Sequence, residues 1–455
     1  MDVLLLSRFQ FAITAAFHFI FPALSIGMAW LNVVFYGKYI RSGKTEDLKL
    51  AYFWINLFIL TFVMGVATGI VMVFQFGTNW ADYVRFVGDI FGAPLAAEAV
   101  LAFFLEATFI GVLVWGRDKV SQKLYFVSCI LVAFGATLSA FWIIVANSWQ
   151  QTPAGYILIE GRPILNNFMA ALLNPSTLPR YLHTVDACII AGALFIAGLS
   201  AWLLLYRKEH KDIALKSMRV ALLFLLLASI AQFAFGHIHS IQVAQTQPAK
   251  LAAMEGLFET EAGAPMLLFG IPDINSGIVR FSIGIPKMLS YMAHGDSNAE
   301  VLGLNAFPKD EWPPINSTFY SFRIMVYLGV FFALLGFVGL FLLKKDKLAD
   351  TKWFLKILTF STPLGVIAAE LGWMSAELGR QPWVVYNLLR TDQAVSYNVP
   401  GVQVMLSILL FTVLFTLLCT VYYHLIKRRL SLGPDAFDNY SHTISKNGLK
   451  KGEEQ

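Results

Sequence analysis

The chain has 455 residues, of which 57% are hydrophobic and only 14% are charged, and its mean hydropathy is +0.63. About 25% of the residues of an ordinary soluble domain are charged, so this composition excludes a soluble globular protein. The net charge of +5 does not indicate a nucleic-acid partner, because the charges stand in short connections between apolar runs. The three cysteines all fall inside apolar runs, which excludes a disulfide framework.

Nine apolar runs are long enough to cross a bilayer, which takes about 18 residues or more. In chain order, we predict helices at residues 8–36, 49–77, 92–115, 124–147, 180–206, 216–236, 319–343, 357–379 and 401–426. Asp2 precedes the first run and no small-residue cleavage site ends it, so we expect the first helix to be retained. The sequence therefore predicts an all-α integral membrane protein with nine transmembrane helices in bundles.

The distribution of basic residues predicts the orientation of these helices. Of the 34 Lys and Arg residues, 23 fall in the connections after helices 1, 3, 5 and 7 and in the tail. The alternate connections hold the other 11, although they include the longest one. Because cytoplasmic connections are enriched in Lys and Arg, we predict an N-terminus outside and a C-terminus in the cytoplasm. This orientation requires an odd number of spans, and the nine predicted spans satisfy that requirement.

The longest connection, residues 237–318, contains Gly, Pro and charges of both signs. A connection of this length without secondary structure is usually functional or disordered. We therefore divide the chain into residues 1–236 with helices 1–6, an extracytoplasmic segment at 237–318, residues 319–429 with helices 7–9, and a polar cytoplasmic tail at 430–455.

Ionisable side chains inside a membrane span are costly and are functional candidates. The spans contain His18, Glu98, Glu106, His183, Asp186, Arg323, Glu370 and Glu377, with Met325 beside Arg323. Counted from the predicted helix ends, His18 lies about 15 Å deep and Glu98 about two turns into helix 3. His183, Met325 and Glu377 lie near the outer ends of their helices. We therefore expect a polar cluster in the outer half of the bundle, as one shared cofactor site would require.

The residue types at this depth suit haem binding. A histidine and a methionine on facing helices, such as His183 and Met325, are a usual axial pair for a low-spin haem. Glu98 and Glu106 are eight residues apart, about 12 Å along the helix and about 80° around it, and would suit a proton relay. Packing explains an isolated membrane histidine equally well, and an apolar methionine usually fills space. Spacing alone therefore predicts a polar outer site and leaves the cofactor open.

Several strings resemble those of the cytochrome bd oxidase subunit I family, in order and spacing, from residue 7 to about 400. They are residues 7–19 (SRFQFAITAAFHF), 146–155 (ANSWQQTPAG), 183–185 (HTV), 250–255 (KLAAME), 322–325 (FRIM) and 372–383 (GWMSAELGRQPW). The last string is long and specific to that family. The length of the 237–318 segment resembles the branch of the family with a short quinol loop.

The resemblance implies haem ligands at four positions. His183 and Met325 would be the axial ligands of a low-spin haem b. His18 and Glu377 would each bind one of two high-spin haems, a haem b and a haem d, or a further haem b in place of haem d. The resemblance does not assign the two high-spin haems to these two residues.

The resemblance also implies an electron and proton route. Trp373 would lie between haems as a bridge for electrons. Glu98 would lie near one high-spin iron, and Glu106 would lie further along a proton route.

Five more residues match positions that the family uses for binding. Arg8, Arg323 and Arg380 would bind haem propionates, because a fork of donors suits a carboxylate. Lys250 and Glu255 would lie at the quinol site, where a carboxylate can take the proton of the quinol.

The implied function is that of the main subunit of a terminal respiratory oxidase in the bacterial cytoplasmic (inner) membrane. It would oxidise menaquinol or ubiquinol and reduce O2 to water, with proton motive force generated by vectorial proton uptake and release without pumping. The expected partners are a second oxidase subunit (subunit II), the quinol, O2 and membrane lipid, with a small single-helix subunit as a further candidate and no nucleic acid.

Two other functions compete with this interpretation. A b-type cytochrome that only passes electrons would need the His183 and Met325 site but not His18 and Glu377 together. A proton-coupled transporter would show inverted repeats and broken helices near the midplane. The sequence has no evident repeat, and its polar residues cluster outside the predicted midplane.

Overall fold

The computed structural model describes residues 2–433. Most of the predicted cytoplasmic tail, 430–455, lies outside the described residues. Within the described part, nine helical segments are long and apolar enough to cross a membrane, as predicted. These segments are Val3–Ser42, Thr45–Thr78, Ala81–Trp115, Gln122–Gln151, Thr177–Tyr206, Lys208–Thr246, Ile315–Lys344, Lys352–Leu378 and Gly401–Leu432.

The spans are built from longer and shorter helices. The helices are α1 (Val3–Ser42), α2 (Thr45–Thr78), α3 (Ala81–Ala97), α4 (Phe104–Trp115), α5 (Gln122–Gln151), α6 (Phe168–Leu172), α7 (Thr177–Tyr206), α8 (Lys211–Thr246), α9 (Pro248–Glu255), α10 (Met288–His294), α11 (Ile315–Lys344), α12 (Lys352–Ser361), α13 (Leu364–Leu378) and α14 (Gly401–Leu432). A π-helical turn, Glu98–Phe103, joins α3 to α4 within the third span. The eighth span combines α12 and α13, with Pro363 as the N-cap of α13.

Short antiparallel strand pairs lie in the connections. The strands are β1 (Tyr156–Ile159), β2 (Arg162–Leu165), β3 (Glu261–Ala262), β4 (Met266–Asp273), β5 (Ile278–Ile285), β6 (Glu300–Val301), β7 (Trp383–Val385) and β8 (Leu389–Arg390). They pair as β1–β2, β3–β6, β4–β5 and β7–β8. The segment between α8 and α11 is therefore ordered, with two helices and a hairpin, rather than a structureless loop.

Two predicted helix boundaries are wrong by about three turns. The third span begins at Ala81 rather than at residue 92, and the sixth continues to Thr246 rather than ending at 236. Polar residues such as Asp82 and His239 lower the local hydropathy, but the backbone remains helical through them. Tertiary packing overrides local composition here, because the added turns of α3 pack against α5.

The connections divide the bundle into two ends. We call the end with connections 79–80, 152–176, 247–314 and 379–400 the loop end, and the opposite end the basic end. Main-chain hydrogen bonds tie the loop-end connections together, from Tyr386 N to Gln150 O at 2.9 Å and from Ser396 N to Asn79 O at 2.8 Å.

Close helix contacts hold the centre of the bundle. The fifth span, α7, is the most buried of the nine in the described chain. Gly27 on α1 and Gly192 on α7 bring the two backbones together, since a Cβ on Gly27 would lie only 2.9 Å from the Gly192 Cα atom. Such contacts between small residues allow the close packing that stabilises membrane helices. At the basic end, Asp47 pairs with Lys38 at 3.2 Å and with Lys216 at 3.3 Å, which joins α1, α2 and α8.

Candidate functional site

A network of charged and amide side chains surrounds Glu377 at the loop end. Glu377 Oε1 accepts hydrogen bonds from Asn147 Nδ2 at 3.1 Å and Gln151 Nε2 at 3.3 Å. Arg180 Nη2 lies 3.7 Å from the same oxygen, and Arg380 donates to Oε2. We call these five residues the Glu377 cluster. Two arginines, Arg180 of α7 and Arg380 in the connection after α13, thus balance one carboxylate and fix its orientation.

The short helix α9 contacts the Glu377 cluster through Lys250. Lys250 Nζ donates to Gln151 Oε1 at 2.5 Å, and the lysine stem packs on Gly379. Burial lowers the pKa of Lys250 well below its usual range, and the positive charges of Arg180 and Arg380 lower it further. The lysine predicted for the quinol site is therefore in direct contact with the cluster that holds a predicted haem ligand.

Glu255, at the end of α9, forms a buried ion pair with Arg323 of α11. The two Arg323–Glu255 contacts measure 2.6 Å and 3.4 Å, and both side chains are buried. The Arg323 guanidinium also lies 4.8 Å from the ring centroid of Phe319. The structure thus brings together a residue predicted for the quinol and one predicted for a haem propionate. Arg323 binds the Glu255 carboxylate, and the role of Glu255 as acceptor of the quinol proton remains a prediction.

His18 on α1 is oriented by Thr68 on α2. His18 Nδ1 lies 2.9 Å from Thr68 Oγ1, and that hydroxyl donates its hydrogen to Met64 O at 2.9 Å. With the hydroxyl donating to Met64 O, it accepts from a protonated His18 Nδ1, and in that tautomer the Nε2 lone pair is available. A partner of this kind on the second ring nitrogen is typical of an iron-binding histidine. Gly69 leaves room beside the ring, since a Cβ there would lie 3.2 Å from Cε1.

His183 and Met325 also face glycines on neighbouring helices. A Cβ on Gly236 of α8 would lie 3.4 Å from His183 Cε1, and one on Gly372 of α13 would lie 2.9 Å from Met325 Sδ. His183 Nδ1 is buried and has no hydrogen-bond partner among residues 2–433, so this polar atom of the imidazole is unsatisfied. A Cβ at Gly372 would crowd Met325, whereas one at Gly236 would make an ordinary contact with the His183 ring.

These donors suit a cofactor that brings its own equatorial ligands. Within residues 2–433, no group of three or more His, Cys, Asp or Glu side chains is arranged to hold a bare metal ion. Single donors on separate helices match axial ligation of a haem iron, which takes one or two protein ligands. Glu377 can still bind a further group through Oε2. A carboxylate has about four lone-pair positions, and Oε2 uses one of its two to accept from Arg380. The residues present therefore fit haem.

The two carboxylates of the third span point toward the same helix, α5. Ser139 Oγ donates to Glu98 Oε1 at 2.7 Å, and a Cβ on Gly135 would lie 2.7 Å from Glu106 Cγ. Ser139 and Gly135 are one helical turn apart, so the expected 80° separation of the two glutamates is wrong. The π-helical turn absorbs one residue, and the remaining seven positions bring the two side chains within about 20° of each other.

The depth of Glu98 also differs from the prediction. Because the third span begins at Ala81, Glu98 lies at its midpoint rather than two turns from its start. Along α5, Ser139 lies about 12 Å from Asn147 toward the basic end, and Gly135 lies about 6 Å further. Glu377, Glu98 and Glu106 therefore contact α5 at successive depths.

Two predicted residues lie apart from these contacts. Trp373 is half-buried on α13, directly after the glycine that faces Met325, which is compatible with its predicted role. Arg8 is exposed near the start of α1, and within the described chain it forms no ion pair with the Glu377 cluster. Both roles remain predictions.

Several residues of the site escaped the sequence analysis. Arg180 stands three residues before His183, and Thr68 and Ser139 are single hydroxyls in apolar runs, so only their three-dimensional partners reveal a role. His239 was assigned to the long connection, but it lies on α8 with its ring centroid 5.7 Å from that of His183.

The chain matches the family described as cytochrome bd terminal oxidase subunit I over residues 6–434. It is 38% identical to cytochrome bd ubiquinol oxidase subunit 1 of Bacillus subtilis (strain 168), over 98% of this chain and 97% of the relative. It is 34% identical to cytochrome bd-II ubiquinol oxidase subunit 1 of Escherichia coli (strain K12), over 96% and 98% of the two chains.

A solved structure has the same fold. The bd oxidase from Geobacillus thermodenitrificans superposes with a TM-score of 0.88 at 30% identity, covering 94% of this chain and 98% of that one. Together with the nine spans, these matches confirm the predicted fold class and the multi-pass location in a bacterial membrane. The chain therefore belongs to the cytochrome bd terminal oxidase subunit I family.

Proposed function

We propose that this chain is the haem-bearing main subunit of a terminal respiratory oxidase that oxidises a membrane quinol and reduces O2 to water. One observation supports this most strongly: Lys250, on the segment predicted to bind quinol, donates to Gln151, which donates to Glu377. A substrate site and a cofactor site thus share one hydrogen-bonded network.

His183 and Met325 would hold a low-spin haem b, and His18 and Glu377 would each hold a high-spin haem, one of b type and one of d type or again b. When bound, these groups supply one-electron transfer and an open iron position for O2. The protein orients the donors through Thr68 and the Glu377 cluster. Arg323 and Arg380, together with the exposed Arg8, are the proposed partners for haem propionates, and Trp373 is the proposed bridge between haems.

Lys250 and Glu255 are the proposed quinol-binding residues. Burial lowers the pKa of Lys250 and so favours the neutral amine, which would offer a hydrogen-bonding group to a quinol hydroxyl. Arg323 holds the Glu255 carboxylate in place, which fixes a hydrogen-bond acceptor at the end of α9. A quinol hydroxyl that approaches α9 would therefore meet two buried polar groups of fixed position.

Glu106 and Glu98 are the proposed steps of a proton route. They face α5 at successive depths, so a proton taken up toward the basic end would pass from Glu106 to Glu98 and its Ser139 partner. The charge distribution supports a cytoplasmic basic end and an outer loop end. With quinol protons released outside and protons for water taken from the cytoplasm, proton motive force would arise without pumping.

The proposed assembly contains a second oxidase subunit besides this chain, with a small single-helix subunit as a further candidate. Within the chain, residues 1–236 and 319–429 would supply the haem ligands, and 237–318 the quinol site. The tail at 430–455 would lie in the cytoplasm.

A reduced-minus-oxidised absorption spectrum of the purified protein, combined with quinol-driven O2 uptake, tests this function. We expect bands of low-spin and high-spin haem, and O2 uptake that depends on added quinol. Absence of haem bands would refute the proposal. Haem bands without O2 uptake would instead indicate a cytochrome that only transfers electrons. Pigment extraction would then distinguish haem d from a further haem b.

A further inference from the structure

The β4–β5 hairpin of the loop end exposes an unusual amount of apolar surface. Four large apolar side chains, Phe269, Ile278, Phe281 and Ile283, are more than half exposed, and Phe281 reaches 78%. Strand β5 is accessible on both of its faces. A contiguous exposed apolar surface of this kind marks contact with a membrane or with another protein.

The charge of the hairpin favours a lipid surface. Between Met266 and Ile285 the only charged side chains are Asp273 and Arg280, and they pair with each other at 2.5 Å. The hairpin therefore carries no net charge and has no unpaired charged group with which to recognise a charged protein surface. A neutral apolar ribbon is best accommodated at the boundary between lipid headgroups and acyl chains.

A β-bulge directs Phe281 outward. The pairs Phe269–Ile283 and Ile271–Arg280 flank a position where Phe281 and Ser282 both oppose the single residue Gly270. Phe281 adopts φ 52°, in the left-handed region that bulky residues rarely occupy. Bulges reorient side chains in this way, and such strain is retained where the orientation has a use.

The turn end of the hairpin lies near the start of α11. Val279 of β5 and Phe319 of α11 both pack on Gly256, at 3.0 Å and 3.1 Å from a Cβ built there. The α11 surface beyond this contact exposes Tyr320 and Ile324, which continues the apolar outer face of a membrane span. Tyrosines are enriched at the membrane–water boundary. The hairpin is thus attached at the level where α11 enters the bilayer.

We infer that the β4–β5 hairpin rests on the membrane surface at the loop end, with Phe281 between the lipid headgroups and the acyl chains. The open edge of β5 excludes deeper insertion, because unpaired backbone groups do not enter the hydrocarbon layer. The contact of the hairpin with the membrane surface would hold the end of α9 close to the bilayer, from which molecules dissolved in the membrane approach the protein. This inference does not depend on the oxidase function.

A nitroxide at Phe281→Cys in the purified complex, reconstituted in phosphatidylcholine vesicles, tests the inference. The background is Cys419→Ser, because Cys129 and Cys188 are buried and Cys419 is exposed. Power-saturation measurements compare accessibility to O2, which partitions into lipid, with accessibility to a water-soluble Ni(II) chelate. The matched control is Glu300→Cys, an exposed polar position of the same segment.

We expect the Phe281 nitroxide to be several-fold more accessible to O2 than to the chelate, and the Glu300 nitroxide to show the reverse. An Ile283→Cys nitroxide should repeat the Phe281 result, which protects the test against misfolding at the strained position. Equal behaviour of the hairpin and control sites would overturn the inference, since the hairpin would then face water. Shielding from both reagents would overturn it as well, because a protein subunit would then cover the hairpin.

Discussion

The carboxylates at the loop end and those in the third span are held in different ways. Glu377 and Glu255 are bound by arginines, whereas Glu98 accepts from the Ser139 hydroxyl and Glu106 packs on a glycine. An arginine fixes both the charge and the orientation of a carboxylate. A hydroxyl partner can exchange its hydrogen-bond direction when a proton arrives or leaves. The loop end therefore holds its carboxylates in fixed orientations, whereas Glu98 of the third span has the kind of partner that the proposed proton route requires.

The largest expected effect is at the loop end, from Met325→Leu. Loss of the thioether should convert the low-spin centre to a high-spin one and reduce quinol-driven O2 uptake to background. The reduced absorption spectrum and an oxygen electrode measure both effects. Met405→Leu on the exposed face of α14 is the matched control and should leave both unchanged. An unchanged low-spin spectrum in Met325→Leu would refute the ligand assignment.

Glu377→Gln should destabilise the protein more than the same substitution at a carboxylate without an arginine partner. It leaves Arg180 and Arg380 buried without their carboxylate, and breaking a buried pair costs about 3–5 kcal/mol. Glu370→Gln changes the same residue type on the same helix and should cost much less, because Glu370 Oε1 has no hydrogen-bond partner in the described part of the chain. Thermal unfolding of the purified variants measures the difference. Equal destabilisation by the two substitutions would mean that the arginine pairing is not what holds Glu377.

Thr68→Val should weaken binding at His18 while leaving the rest of the bundle intact. Loss of the partner that orients an iron-binding histidine typically costs about 10–100-fold in affinity or activity. Thr68→Ser keeps the hydroxyl and should behave like the wild type. Haem content per protein after dilution into detergent measures the effect. If the valine variant retained haem as well as the serine variant, the hydroxyl would have no orienting role.

The smallest expected effect is a change in pH dependence caused by Lys250→Met. The folded pKa of Lys250 lies below the unfolded value of about 10.4, so the unfolded chain binds one more proton between these two values. Wild-type stability should therefore rise with pH across this window, by at most about 1.4 kcal/mol per pH unit. Lys250→Met should remove that rise, whereas Lys309→Met, at an exposed position, should keep it. Melting temperature as a function of pH gives the slopes, and an unchanged slope in Lys250→Met would contradict the assignment.

The sequence was sufficient for the overall fold and for selecting candidate ligands, whose roles remain predictions. Long apolar runs predict membrane helices, and isolated ionisable residues such as His18 and Glu377 stand out within them. The ends of the third and sixth spans could not be predicted, because Asp82 and His239 lower the hydropathy of turns that tertiary contacts keep helical. The order in the 247–314 segment was missed for a similar reason, since its short strands follow no clear apolar alternation.

The partners within the site were beyond sequence reasoning. Arg180 and Gln151 reach Glu377 from two other spans, and no spacing in the sequence relates them. The π-helical turn likewise has no evident sequence signal, yet it decides that Glu98 and Glu106 share one face. Helical periodicity alone gave the wrong angle, because it assumes a regular helix between the two residues.

Anaerobic reduction of the haems by quinol tests the division between the two regions most directly. In Glu255→Gln, haem reduction by quinol should be slow while dithionite reduces the haems fully, because the defect lies at the loop-end substrate site. In Glu98→Gln, anaerobic reduction by quinol should proceed at the wild-type rate, and only turnover with O2 should slow. Equal slowing of quinol reduction in both variants would contradict the separate roles assigned to the loop end and the third span.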